Sequence, residues 1–106
     1  MTDERAFVVL MRVHLHFPDA GSLKAKRAEL NSVKAHLRSR LGASVAEVAH
    51  QDTWQRSTLA VAVTGGSPGR CDEAADAVSR MLDAHFPQGV GTERRIASWD
   101  DLEPLR

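Results

Sequence analysis

Ser44-Val-Ala-Glu-Val-Ala-His-Gln-Asp-Thr-Trp-Gln-Arg-Ser-Thr-Leu-Ala-Val-Ala-Val-Thr64 is the stretch that decides the fold. In its second half Leu59, Val61 and Val63 alternate with Thr58, Ala60 and Ala62. That period of two sends one set to a core and the other to the opposite face of a sheet. The first half is rich in Val and Ala, and Gln51-Asp52-Thr53 interrupts the two runs with polar residues. The stretch therefore predicts a hairpin, with strands over residues 44–50 and 55–64. In the first strand Ala46, Val48 and His50 share a face, expected to be the buried one because Glu47 points the other way.

Working outward, each side of the hairpin carries a helix and then a strand. Upstream, Leu30, Val33, Leu37 and Leu41 recur at steps of three and four, an apolar helical stripe. Ser22 suits the N-cap of that helix and Gly42 its C-terminal stop. Before it, residues 7–17 alternate as Phe7, Val9, Met11, Val13 and Leu15 against Val8, Leu10, Arg12, His14 and His16, a strand. Downstream, Ser67 and Pro68 open a second helix with Val78, Met81 or Leu82, and Phe86 on its inner face. Residues 92–99 give a last strand, and the tail from about residue 100 is expected to fray. The order is β-α-β-β-α-β. With right-handed crossovers it predicts an α+β, ferredoxin-like sandwich: a four-stranded antiparallel sheet with both helices on one face.

A length of 106 residues fits a single domain over residues 1–106, and 42% apolar residues suffice for one core. No apolar run is long enough to cross a bilayer. The first residues, Met-Thr-Asp-Glu-Arg, lack the layout of a secretory leader. A single cysteine, Cys71, excludes an internal disulfide and a cysteine-rich zinc site. We therefore expect a cytoplasmic protein with no membrane contact and no cofactor. The net charge of zero argues against general nucleic-acid adhesion, yet the charge is segregated. Residues 23–40 hold six cations (Lys24, Lys26, Arg27, Lys34, Arg38, Arg40) against Glu29 alone, whereas residues 71–86 hold four anions against Arg80.

The basic helix is the strongest functional signal. Lys24, Arg27, Lys34 and Arg38 fall at helical spacing, and a rise of ~1.5 Å per residue makes their stripe ~21 Å long. That length spans several phosphates of an RNA strand. The competing reading is a solvated or intramolecularly paired helix face. A second cluster, Glu47, His50, Asp52, Trp54 and Arg56, sits in and beside the hairpin connection. As an acid/base set it lacks a nucleophile, so no catalytic residue is assigned and His50 and Asp52 are expected to satisfy the connection's backbone. His14 and His16 share a strand face, but parity separates them from His50, so no metal site is assigned. Cys71 follows the glycine-rich Gly65-Gly-Ser-Pro-Gly69, which lacks the Lys-Ser/Thr of a phosphate loop.

Ser22-Leu-Lys-Ala-Lys-Arg27 and Val45-Ala-Glu-Val-Ala-His-Gln-Asp-Thr-Trp-Gln-Arg56 together resemble the signature stretches of the YlxP-like family of small bacterial proteins of unknown function. The resemblance runs from about Val9 to about Arg95. It implies the same ferredoxin-like fold and, through the frequent gene neighbourhood of that family with translation and ribosome-maturation factors, a link to RNA or the ribosome. The expected function is thus a non-catalytic module that contacts RNA or the ribosome through residues 24–40. The alternative is a homodimeric scaffold or ligand-sensing module, because Val8, Leu10, Thr58 and Ala60 leave the helix-free sheet face apolar.

Overall fold

A computed structural model describes residues 4–105. The elements are β1 (Phe7–His16), α1 (Leu23–Leu41), β2 (Ser44–Ala49), β3 (Arg56–Gly65), α2 (Pro68–His85), β4 (Gly91–Ser98) and a 3-10 turn, η1 (Trp99–Asp101). The four strands form one antiparallel sheet in the order β2-β3-β1-β4, the ferredoxin-like arrangement. β1 and β3 pair along their full length, Phe7 opposite Gly65 and His16 opposite Arg56.

The caps form where the sequence places them. Ser22 Oγ accepts from the Ala25 N–H at 3.1 Å, and Ser67 Oγ from the Arg70 N–H at 3.2 Å. Gly42 closes α1 in the left-handed region (φ 63°), where a side chain is disfavoured. Both helices cover one face of the sheet. Val9, Met11, Val13 and Leu15 of β1 meet Leu59, Val61 and Val63 of β3, Leu30, Val33 and Leu37 of α1, and Val78 and Leu82 of α2, all buried. Burying each such side chain contributes about 1.5–3 kcal/mol, so this interface is what holds the layers together. At one end Phe17 meets Phe86 edge to face, ring centroids 5.6 Å apart.

One expectation is corrected. Ala46 and Val48 are exposed, while Val45 and Glu47 turn toward the helices. Parity fails because Glu47 finds cationic partners on α1, so its charge does not need water. A bulge between Glu47 and Ala49 then shifts the register against β3. The C-terminal segment turns through η1, where the Ser98 N–H donates to Asp101 Oδ2 at 2.8 Å and the Trp99 N–H to the Ala6 carbonyl at 2.9 Å.

Candidate functional site: the helix–loop junction

The two sequence signatures meet in space, at the N-terminal half of α1 and the β2–β3 connection. Lys26 lies four residues before Leu30, on the same inward stripe, and is fully buried. Its aliphatic stem therefore runs through the core while the ammonium emerges under the connection. Nζ donates to the carbonyl oxygens of His50 and Thr53, both at 2.6 Å, and approaches that of Gln51 at 3.5 Å. An ammonium has three donors, so a cup of carbonyls is the acceptor set that satisfies it. The loop bends to supply them. His50 adopts a left-handed backbone (φ 63°) and its carbonyl also accepts from the Thr53 N–H at 3.2 Å. Burial is the main influence lowering the Lys26 pKa, and neighbouring Arg27 adds to it against the raising pull of Glu47 and Asp52.

Next to this cup, Glu47 gathers the α1 cations. Its Oε1 accepts from Arg27 Nη1 at 2.6 Å and from Lys34 Nζ at 2.9 Å. Burial would raise the Glu47 carboxyl, but the Lys34 hydrogen bond and the charges of Lys34 and Arg27 outweigh it and hold the pKa below the usual range. Among the described residues Oε2 is buried with no partner. Arg38 Nη2 donates to the Val45 carbonyl at 2.7 Å, and Arg27 Nη2 reaches that of Gln51 at 3.4 Å. The stripe is thus a braced ridge along β2 rather than a row of free side chains.

Of the expected anion-binding residues, Lys26 is buried and has no surface to present. Arg27, Lys34 and Arg38 lie in the ridge, and Lys24 is exposed at its start. Arg40 is exposed too, but sixteen residues at 100° per residue carry it about 160° around the helix from Lys24, off the ridge. Asp52, Trp54 and Arg56 are exposed, Trp54 by 53%. His50 serves the junction through its carbonyl.

The remaining candidates do not converge. Glu47 is committed to α1, and Asp52 faces solvent. His14 lies on the open sheet face with Nε2 2.9 Å from Glu93 Oε1. Among the described residues no three His, Cys, Asp or Glu side chains gather as metal ligands. Cys71 is buried at the start of α2, under Gly65. What the sequence reading missed is the set of carbonyls at residues 50, 51 and 53, since backbone acceptors leave no mark in a sequence. Lys26 itself was detectable: a lysine at the next step of an apolar stripe must find buried acceptors.

Residues 8–94 match the family described as "Protein of unknown function (DUF503)". The chain is also 34% identical over 70 residues to "Uncharacterized protein YlxP" of Bacillus subtilis (strain 168), covering 66% of this chain and 75% of that protein. Among solved structures it resembles "De novo designed protein Foldit4", with a TM-score of 0.53 and 11% identity over 87% of this chain and 96% of that one. That likeness concerns the fold alone. No helix of the described residues is long and apolar enough to cross a membrane. With the family matched across both signature stretches and most of the sheet, the chain belongs to the DUF503 family, whose B. subtilis relative is YlxP.

Proposed function

We propose that this protein is a non-catalytic module that binds single-stranded RNA at the helix–loop junction, ribosomal RNA being the expected target class. One observation carries the reading: Lys26 moors residues 50–53 against α1 and Arg27 reaches the Gln51 carbonyl, so the connection that carries exposed Trp54 is tied to the basic end of the ridge. Cations that follow a backbone, next to an aromatic on which a base can stack, are the pairing that single-strand binding uses. The bracing matters as much as the charge. Glu47 neutralises one unit but holds Arg27 and Lys34 in place, so little side-chain freedom is lost when phosphates arrive.

The structure also decides how to test this. Reversing Arg27 or Lys34 to Glu would set carboxylates against Glu47 and damage the fold. Lys24→Glu with Arg38→Gln leaves both Glu47 partners intact and keeps an amide donor at position 38 for the Val45 carbonyl, and Trp54→Ala removes the stacking surface. Binding of a labelled single-stranded RNA oligonucleotide is measured by fluorescence anisotropy across a salt series. The charge variant is expected to bind at least ten-fold more weakly, with a log–log salt slope shallower by about 1.4, for two lost phosphate contacts. Trp54→Ala should weaken binding by ~1–3 kcal/mol while leaving the slope unchanged. Wild-type affinity and slope in both folded variants would reduce the ridge to a brace between α1 and β2.

A further inference from the structure

On the sheet face without helices and the segment that leaves it, apolar groups stand in water. Trp99, Leu102 and Leu105 are 75%, 53% and 99% exposed and recur every third residue. Their segment, the arm, is rooted by the hydrogen bonds of η1, yet its apolar side chains touch little. They border a hollow of about 650 Å³ together with Asp100, Glu103 and Pro104. A second cleft of about 180 Å³ continues from Trp99 and Leu102 onto Phe7, Val8, Thr64 and Ala97 at the end of the sheet. Leu10 and Val48, both 50% exposed, extend this surface across the open face with Ala60 and Ala62. The radius of gyration is 15.3 Å, above the ~13 Å of a compact chain of this size, as expected of an arm held off the body.

We propose that the open sheet face and the arm are a two-fold interface with a second copy of this chain, each arm clasping the far end of its partner's sheet. Charge complementarity selects that occupant. The arm carries Asp100, Asp101 and Glu103. The opposite end of the face, about 30 Å away along β1, carries exposed His16 and Arg56, which are register partners. A two-fold axis across the strands superposes one protomer's arm on the other's His16/Arg56 end and brings the two Leu10 regions together. A self-complementary patch of this kind is what an isologous dimer requires.

The area also suffices. Strands of ten, six, ten and eight residues at ~3.3 Å rise and ~4.8 Å spacing present roughly 540 Å² in projection, and one Trp and two Leu side chains add several hundred more. The sum reaches the ~800 Å² per partner of a stable interface. Toward the β4 edge of the face, Glu93 accepts from Arg12 at 2.7 Å and pairs with His14 at 2.9 Å, so these three side chains are already matched when covered. The proposed RNA-binding ridge lies on the helix layer, but Trp54 is two residues from Arg56 at the clasped end, so the dimer is tested without RNA and its failure is distinguishable from failure of the RNA reading.

Sedimentation velocity over a concentration series tests the interface, with circular dichroism to confirm that each exposed-site variant is folded. Wild type is expected to be dimeric. Leu10→Glu, and separately Trp99→Ser with Leu105→Ser, should raise the dimer dissociation constant at least 100-fold. Glu103→Arg and Arg56→Glu should each raise it about ten-fold, and combining them should restore the wild-type value, because only a contact between the two residues couples them. A wild-type protein still monomeric at ~100 µM would overturn the proposal. So would a dimer indifferent to Leu10 and the arm, or a charge swap whose effects simply add.

Discussion

Lys26 occupies a position where helical spacing calls for a leucine, and the fold treats its stem as one. What distinguishes it is the ammonium, bonded to carbonyls of the β2–β3 connection. Lys26→Met keeps the buried stem but leaves those part-buried oxygens without their charged donor. Hydrogen bonds to a charged group are worth about 1.5–3 kcal/mol, so the variant should lose roughly 2–3 kcal/mol in urea unfolding. Lys26→Arg should not restore it, because a planar guanidinium cannot converge three donors on a cup of oxygens. At this scale the sequence was only partly legible. Its charge placed Lys26 among the expected anion-binding residues; its position four residues before Leu30, which that reading passed over, accords with its burial.

For the elements, α1 and α2 were readable because their caps and apolar stripes agree with each other. β2 was not, because its alternation is short and its inward charge is compensated from another element. That compensation has a pH signature. The Glu47 carboxyl has an ordinary value of 4.5 and is lowered in the folded protein by Lys34 and Arg27. The unfolded chain therefore takes up the proton first as pH falls. The stabilisation from the ionised carboxylate is complete well above 4.5 and drains away as pH drops through 4.5 toward the lowered folded value. Glu47→Gln should be less stable than wild type at neutral pH, and the gap should narrow as pH falls through 4.5, measured by thermal melts at stepped pH. A gap that persists unchanged into acid would mean that Glu47 acts through packing rather than charge.

In the whole molecule, topology followed from element order and crossover handedness alone, and β1 and β3 take the two central positions. Their amides are bonded on both sides and lie over the core, so hydrogen exchange there should proceed only through global unfolding. Amides of β2 and β4 should exchange faster, β4 most of all because Gly91–Ile96 are exposed. Equal protection in β4 and β1, read by exchange mass spectrometry, would contradict that ranking unless the edge is covered. The open face was readable from the outward set Val8, Leu10, Thr58 and Ala60, whereas the arm was not, since an exposed apolar row looks in sequence like any short helical stripe. The mooring of the connection by main-chain oxygens bears on how this molecule can change over time. Gln51 and Thr53 contribute geometry through groups that every amino acid possesses, so their side chains are at liberty to vary. A one-residue insertion there, by contrast, would carry the oxygens out of reach. The tip can thus acquire new recognition chemistry by substitution while its length stays fixed, a versatile surface mounted on an inflexible pedestal.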